Sequence, residues 1–231
     1  MPDLDRRSKQ LERIDTGDYT AAEYDRFLKE IAFINRFLGD RRALRRSLLA
    51  EVERRELTEF SLLDVGCGSG ELLRYTAEFA RTKGIKGRLT GLDLNPISAS
   101  VSAKNTNDFP VISITQGDAF QLPFADGEFD YAISSLFFHH LTDEQIPQAL
   151  QEMRRVARNG VFVIDLHRHA VAYRLYRLFC RAFFISPLVR EDGSLSVLRG
   201  FRPEELAKIA GTGNVKRSFP FRLVLECGER A

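Results

Sequence analysis

Apolar and polar positions alternate in two ways between residues 58 and 169. Short apolar runs, each ended by a glycine, an acid or a proline, predict buried parallel strands. The stretches between them carry apolar residues at helical spacing. The predicted strands are LLDVG, GRLTGLDLNP, VISITQGDA, FDYAISSLFFHHL and VFVIDLH. Such alternation predicts an α/β fold with a doubly wound, mostly parallel sheet that binds its ligand at the carboxyl ends of the strands.

Helical patterns fill the gaps between these strands. ELLRYTAEFA follows the first strand, and PISASVSAKNT, opened by Pro96, follows the second. A third helix is expected over residues 142–160, capped by Thr142 and closed by Gly160. Pro147 lies inside this helix, so its first turn is expected to be kinked or separate.

Residues 1–57 contain no strand-like alternation and are expected to form an N-terminal helical cap, with the main domain over residues 58–231. Thr20 and Glu23 can form a capping box, Gly39 can end the first long helix, and a second helix is expected to reach about Arg55. Because these helices precede the first strand, we expect them to pack over or beside the edge of the sheet that binds the ligand. A helix that completes one face of the sheet is the alternative.

Composition narrows the class of protein. The net charge of +2 gives no general electrostatic reason to expect a nucleic-acid partner. The three cysteines show no paired or metal-type spacing, and no apolar run reaches about 18 residues. The N-terminus is charged and lacks the apolar region of a signal peptide. We therefore expect a soluble cytoplasmic protein.

The stretch LLDVGCGSGE is the strongest chemical signal in the chain. A buried strand carries Asp64 to its end, a glycine-rich turn follows, and a helix begins after the turn. The third glycine follows the second by two positions, whereas a dinucleotide-binding fingerprint needs three, and no Gly-Lys-Ser/Thr is present to hold a triphosphate. The pattern resembles motif I of class I S-adenosylmethionine-dependent methyltransferases. An NAD-dependent oxidoreductase is disfavoured by the same spacing.

This resemblance covers residues 58–169 with specific motifs, and it implies S-adenosyl-L-methionine as the cofactor. The segment LPFADGEFDYAISS is similar to a sequence motif of ubiquinone and menaquinone methyltransferases. The segments VKRSF and FRLVLECG resemble the antiparallel strand pair that completes the seven-stranded Rossmann-like sheet of the family. Asp93, at the end of the second strand, can accept hydrogen bonds from both ribose hydroxyls. The expected cofactor contacts are Asp64, Gly66, Cys67, Gly68, Gly70, Asp93, Leu94, Asp118, Ala119 and Ser134.

Catalysis of methyl transfer to a hydroxyl requires a base, and histidine has a suitable pKa range. The four histidines fall in two pairs after the fourth and fifth strands. We rank the candidates His140, His139 and then His167, because FFHHL resembles the stretch that lines the acceptor pocket of small-molecule methyltransferases. Asp165 could orient His167 or cap strand five. It is the only strong candidate carboxylate near the acceptor, so no metal is expected.

The acceptor is expected to be a small, aromatic or lipophilic molecule, with O-methylation narrowly favoured over C-methylation. Motifs of DNA base methyltransferases are absent after the fourth strand. Residues 170–190 predict a basic amphipathic helix, which could touch an anionic membrane surface or cover one face of the sheet with its arginines solvated. A non-catalytic cofactor-binding or scaffold protein that kept the fold is the alternative function.

Overall fold

A computed structural model describes residues 2–35 and 37–228 of the chain. Its seven strands form one sheet in the order β3-β2-β1-β4-β5-β7-β6. The first five strands are parallel, and β7 runs antiparallel to both β5 and β6. The strands are β1 Glu59–Val65, β2 Lys86–Asp93, β3 Ile112–Gln116, β4 Phe129–Ser135, β5 Ala157–Leu166, β6 Asn214–Ser218 and β7 Arg222–Cys227. The predicted seven-stranded, mostly parallel sheet is confirmed.

Helices cover both faces of this sheet and its carboxyl edge. They are α1 Arg13–Thr16, α2 Ala21–Asn35, α3 Asp40–Arg46, α4 Leu48–Arg54, α5 Glu71–Lys83, α6 Pro96–Thr106, α7 Gln145–Val156, α8 Ala170–Ala182, α9 Pro187–Arg199 and α10 Pro203–Ala210. A short 3₁₀ turn spans Phe138–His140. None of these helices, which cover only the described residues, is long and apolar enough to cross a membrane.

Two hydrophobic clusters hold the layers together. Ile146 and Met153 of α7 and Leu206 of α10 pack on one face of the sheet. The second cluster contains Leu49 of α4 and Leu73 of α5 and packs on the other face. Burial of such aliphatic side chains stabilises a fold by about 1.5–3 kcal/mol for each residue. The helices therefore fix the strands, whose carboxyl ends then present the loops of the site.

The N-terminal helices divide between two positions. Helices α3 and α4 lie on a face of the sheet, where Asp40 accepts two hydrogen bonds from the buried Arg222 of β7, at 2.6 and 3.0 Å. In α2, Tyr24 and Phe27 instead pack with Tyr176 of α8 and Leu188 of α9. We call α1, α2, α8 and α9 the roof. The N-terminal helices thus occupy both positions considered from the sequence: α3 and α4 complete a face of the sheet, and α2 packs with the helices of the roof.

Several predicted boundaries are corrected by the structure. Helix α2 ends at Asn35 rather than at Gly39, which precedes α3 with φ +95°. Helix α7 starts at Gln145, so the predicted helix over residues 142–160 is too long at both ends. Gly160 lies inside β5, opposite Tyr131 of β4, because strand pairing there extends further than its apolar run. The predicted helix over residues 170–190 is two helices, since Pro187 begins α9.

Candidate active site

A cavity of about 970 Å³ lies between the carboxyl edge of the sheet and the roof. Its floor comes from the loops after the parallel strands, where α/β folds bind ligands. Its walls include Phe27 and Leu28 of α2 and Leu175 and Phe179 of α8. The predicted site residues that line it are Asp64, Gly66, Cys67, Gly68, Asp93, Leu94, Asp118, Ala119, His139, His140 and His167.

The glycine turn after β1 shapes one end of this cavity. Gly66 and Gly68 have φ values of +74° and +55°, a region that side chains with a Cβ rarely adopt. The Gly66 and Cys67 N–H groups donate to the Leu92 carbonyl at 2.8 and 3.0 Å, which fixes the turn against β2. A Cβ on Gly68 would meet no described heavy atom within 4 Å. Gly68 therefore leaves its backbone open to the cavity.

Two predicted contacts lie outside the cavity lining. A Cβ on Gly70 would come within 2.5 Å of the Ser102 hydroxyl, so this glycine allows close packing of the turn on α6. Ser134 is fully buried in β4 and donates its hydroxyl hydrogen to the Val65 carbonyl at 2.8 Å. Gly70 thus packs against α6 and Ser134 bonds within the sheet, whereas the neighbouring Ser135 lines the cavity.

Asp64 brings an unpaired carboxylate oxygen to the cavity. The side chain is 2 % exposed, and its Oδ1 atom has no hydrogen-bond partner among the described residues. Burial, together with the charge of Asp93, raises the pKa of Asp64 to about 7. A buried acceptor without a donor is costly, so this oxygen is suited to a cationic or hydrogen-bonding ligand.

Asp93 stands at the end of β2 with both carboxylate oxygens directed to backbone donors. Oδ2 accepts the Gly68 N–H at 2.9 Å and Oδ1 accepts the Asn95 N–H at 2.9 Å. Burial raises its pKa, although these two hydrogen bonds oppose the shift. Each oxygen can still accept a further hydrogen bond, because a carboxylate offers about four lone-pair sites. The pair can therefore bind two adjacent hydroxyls.

These features fit S-adenosylmethionine. The unpaired Asp64 oxygen suits its amino group, the open Gly68 backbone suits close approach, and the Asp93 carboxylate suits its ribose hydroxyls. Asp118 and Ala119 line the same cavity after β3, where the family resemblance implies that the adenine ring binds. Gly66, Cys67 and Leu94 line the same side of the cavity. We call this side the cofactor edge, and its residues are Asp64, Gly66, Cys67, Gly68, Asp93, Leu94, Asp118 and Ala119.

A buried pair of histidine and carboxylate lies at another part of the cavity, where His139 lines it. His139 Nδ1 lies 2.7 Å from Asp165 Oδ1, and the His139 N–H donates to Asp165 Oδ2 at 3.1 Å. Burial opposes ionisation of Asp165, but the charge and hydrogen bonds of His139 outweigh it and lower the pKa of this carboxyl. Asp165 therefore orients His139. The expectation that it would orient His167 or cap strand five is corrected, because the 3₁₀ turn carries His139 over the end of β5.

A second histidine has its own carboxylate. His140 Nδ1 lies 2.7 Å from Asp15 Oδ1 of α1, and Arg199 of α9 forms an ion pair with the other oxygen of Asp15. Burial opposes ionisation, yet the hydrogen bond and charge of His140 and the charge of Arg199 lower the pKa of Asp15 to about 2. Arg199 also donates to the His139 and His140 carbonyls at 2.9 and 2.8 Å. The roof thus holds the histidine turn in place.

Glu12 completes this group of side chains. Its Oε2 accepts the Ser196 hydroxyl at 2.8 Å, whereas Oε1 is buried without a hydrogen-bond partner among the described residues. Oε1 lies 3.9 Å from His139 Nε2 and 4.0 Å from His140 Nδ1. Burial raises the pKa of Glu12 to about 7, against the opposing effect of His140. We call Glu12, Asp15, His139, His140, Asp165 and Arg199 the histidine cluster.

Sequence reasoning missed Glu12, Asp15 and Arg199. The view that Asp165 is the only strong carboxylate near the acceptor is therefore wrong. No sequence motif identifies these residues, because they come together only through tertiary contacts. Asp192 of α9, for example, positions the N-terminal segment by accepting the Arg13 and Ile14 N–H groups at 3.0 and 3.1 Å. For Glu12 and Asp15, the charged stretch before the first strand was the only signal.

One observation bears on the expectation of no metal. Donor atoms of Glu12, His139 and His140 lie within 4.8 Å of one another. The Arg199 guanidinium lies 3.8 Å from Glu12 Oε1 and adds a positive charge to the same position. The expectation of a metal-free site stays a prediction.

His167 lies at another corner of the cavity, after β5. Its ring centroid is 5.6 Å from that of His169, and the lining also includes the neighbouring Phe221. Partial burial lowers the pKa of His167, and the nearby charges of Arg217 and His169 act in the same direction. Among the described residues, no carboxylate bonds the His167 ring as Asp165 and Asp15 bond those of His139 and His140, so His167 keeps its third rank.

Comparisons with known proteins point to one family. A family model described as a methyltransferase domain matches residues 63–164. A demethylmenaquinone methyltransferase from Lysinibacillus sphaericus (strain C3-41) is 32% identical over 53% of this chain and 50% of its own length. One from Staphylococcus aureus (strain JH9) is 27% identical over 81% of this chain and 73% of its own length. The chain thus spans half the length of the first of these relatives.

Solved structures share the fold. A SAM-dependent methyltransferase from Aquifex aeolicus has a TM-score of 0.60 at 18% identity, covering 90% of this chain and 97% of its own. Human N-acetylserotonin methyltransferase in complex with SAM has a TM-score of 0.63 at 16% identity, and the match covers 92% of this chain and 57% of its own. The family model thus shows a methyltransferase domain over residues 63–164, and the sheet order and these likenesses show that the chain has the fold of class I S-adenosylmethionine-dependent methyltransferases.

Proposed function

We propose that this protein transfers a methyl group to a hydroxyl oxygen of a small aromatic or lipophilic molecule. The observation that carries the proposal is the histidine cluster, in which two imidazoles each bond a separate carboxylate inside the cavity that also holds the cofactor edge. Apolar walls from α2 and α8 favour an apolar acceptor. The naming of two relatives as demethylmenaquinone methyltransferases supports a quinone-like aromatic acceptor.

S-adenosylmethionine, when bound, would supply an electrophilic methyl group for the acceptor oxygen, with the electron pair of the sulfur–carbon bond left on sulfur. Asp64, Gly68 and Asp93 would hold it at one end of the cavity. The acceptor hydroxyl must lose a proton, and an imidazole nitrogen can accept it. Asp15 and Asp165 occupy the Nδ1 atoms of His140 and His139. The Nε2 atoms remain for the acceptor.

Between the two imidazoles, His140 is the favoured base. Its side chain is 23% exposed within the cavity, whereas that of His139 is 3% exposed. Asp15 fixes the orientation of the His140 ring, as the carboxylate does in a Ser-His-Asp triad. Glu12 adds a carboxyl whose charge can change near neutral pH. The order of preference is therefore His140, His139 and then His167.

The test is to supply labelled S-adenosylmethionine with a panel of phenols, hydroquinones and aliphatic alcohols. We expect a labelled methyl ether from the hydroxylated aromatic compounds and none from the matched compounds in which the hydroxyl is already methylated. Nuclear magnetic resonance of the product distinguishes an ether methyl from a ring methyl. A ring methyl would make C-methylation the reaction, since ionising a phenolic hydroxyl also activates the ring carbon beside it. No labelled product from any hydroxylated compound would contradict the proposal.

A further inference from the structure

Exposed aromatic side chains gather where the roof meets the surface. Phe37 after α2 is 58% exposed, and Phe183 and Phe184 after α8 are 54% and 90% exposed. The Phe33 ring lies 5.3 Å from that of Phe37 and 6.0 Å from that of Phe183, measured between centroids. Phe184 also has a φ of +52°, an unusual conformation for a bulky residue. Contiguous exposed apolar surface of this kind marks a binding surface.

Positive charge accompanies these phenylalanines. Arg174, Arg177 and Arg181 are exposed on α8, three and four residues apart. Residues 170–190 contain four arginines and no aspartate or glutamate. Acidic side chains therefore cannot neutralise this segment from within. A helix that presents apolar residues beside several cations suits the interface of a bilayer with anionic headgroups.

The cavity reaches the surface beside this patch. Leu175 and Leu178 line the cavity and are nevertheless 52% and 62% exposed. Ala182, one residue before Phe183, lines it as well. A molecule that leaves an apolar phase at the patch would thus meet an apolar cavity wall directly.

We infer that a rim made of Phe37, Phe183, Phe184, Arg174, Arg177 and Arg181 seats the protein on an anionic lipid bilayer, from which a lipophilic acceptor enters the cavity. Entry of the acceptor rests on the acceptor class proposed above, whereas bilayer binding does not. The phenylalanines enter the headgroup region, the arginines contact anionic headgroups, and Leu175 and Leu178 lead from the bilayer to the cavity.

The experiment is co-sedimentation of the full chain with phosphatidylcholine vesicles that contain or lack phosphatidylglycerol. We expect binding to the anionic vesicles only, and less of it at high salt. The triple change R174Q/R177Q/R181Q should lower partitioning onto anionic vesicles by about a hundredfold. A matched triple change, R54Q/R81Q/R158Q, removes the same charge from exposed arginines at the other edge of the parallel strands and should lower it far less.

A second pair of variants tests the apolar contribution. F183S/F184S should reduce binding to anionic vesicles by roughly tenfold or more, because two exposed rings no longer enter the interface. Val111→Ser, at a 41% exposed position before β3, is the apolar control and should bind as the unchanged protein does. Neither position lines the cavity, so affinity for S-adenosylhomocysteine should stay constant in both.

Equal binding of the protein to vesicles with and without phosphatidylglycerol would overturn the inference. Losses of vesicle binding in the control variants as large as those in the rim variants would overturn it as well. A dimer of the chain that dissociates in F183S/F184S would also overturn it, because a second copy would then cover the rim. Turnover of a water-soluble phenol without vesicles tests the proposed function separately. A protein that methylates such a phenol and ignores anionic vesicles would overturn the bilayer surface alone, whereas one that binds vesicles and methylates no hydroxylated compound would leave that surface intact.

Discussion

The two ends of the cavity are assembled in different ways. The cofactor edge comes from consecutive strand, turn and helix units between β1 and the loop after β3, and its residues lie close in sequence. The histidine cluster brings together α1, the 3₁₀ turn, the end of β5 and α9, which are far apart in sequence. The first end is therefore recognisable as a motif, whereas the second exists only in the folded chain.

Their electrostatics also differ. At the cofactor edge, Asp64 keeps a buried oxygen without a described partner, so a ligand is needed to satisfy it. In the histidine cluster, Asp15 and Asp165 are already bonded to imidazoles, which offsets the cost of their burial, and Glu12 Oε1 is the buried oxygen left without a described hydrogen-bond partner. Asp64 thus needs a ligand to satisfy its free oxygen, whereas the rings of His139 and His140 are oriented by protein carboxylates alone.

The largest effect is expected at the glycine turn. Gly68→Val should abolish cofactor binding, because the side chain would occupy the open space at the cofactor edge. Gly84→Val is the matched control: Gly84 ends α5 with φ +69°, and a Cβ there also meets nothing within 4 Å. Both changes impose similar backbone strain, so both should lower the melting temperature alike. Calorimetric affinity that is equal in the two folded variants would refute the role given to Gly68.

Loss of the base comes next in size. His140→Gln should lower kcat by about 10²–10⁴ while cofactor affinity stays unchanged, because the imidazole acts on the acceptor. His169→Asn is the control, since His169 lies outside the cavity lining and its Nδ1 accepts the Val171 N–H at 3.2 Å, a cap that asparagine can replace. If single replacements of His140, His139 and His167 all leave turnover unchanged, positioning of the acceptor would be the better account.

A smaller loss is expected from the ribose contact. Asp93→Ala should weaken cofactor binding by about ten- to a hundredfold, since hydrogen bonds to a charged group contribute about 1.5–3 kcal/mol. Asp108→Ala removes an exposed carboxylate outside the cavity and should have no effect. Unchanged affinity of the original protein for a cofactor analogue that lacks both ribose hydroxyls would contradict this assignment.

The smallest effect concerns pH. Asp64, with a pKa of about 7 in the free protein, must lose its proton to bind a positively charged amino group. Cofactor affinity should therefore rise with pH up to about 7, by at most about tenfold for each pH unit below it. Calorimetry at pH 6.5 in buffers of different ionisation enthalpy should show proton release. The Asp64→Asn variant should bind the cofactor more weakly and release fewer protons on binding. Equal proton release by the variant and the unchanged protein would rule out Asp64 as the source of the protons.

Much of the fold and of the cofactor edge could be predicted because both depend on local patterns. The apolar run that ends in Asp64, the turn with Gly66 and Gly68, and Asp93 after the next strand each identify their place without knowledge of the rest of the chain. Helix ends were harder. The residues around Gly160 continue the helical pattern of α7, yet they pair with β4, because a place in the sheet outweighs local preference.

The histidine cluster could be predicted only in part. His139 and His140 were found because they follow a strand, and parallel strands end at the ligand. Glu12 and Asp15 precede the sheet in sequence, and contacts from Asp192 and Arg199 of α9 help to hold the N-terminal segment beside it. No spacing rule relates these positions, so only tertiary packing reveals them.

Cofactor binding and methyl transfer should depend on different residues of the cavity, and one paired measurement separates them. Cofactor dissociation constants and single-turnover methyl-transfer rates at saturating cofactor should be measured for Asp93→Ala and His140→Gln. The account predicts a raised dissociation constant with a nearly normal rate for Asp93→Ala, and a normal dissociation constant with a rate lowered by about 10²–10⁴ for His140→Gln. A rate that stays low in Asp93→Ala at saturation, or cofactor affinity lost in His140→Gln, would contradict it.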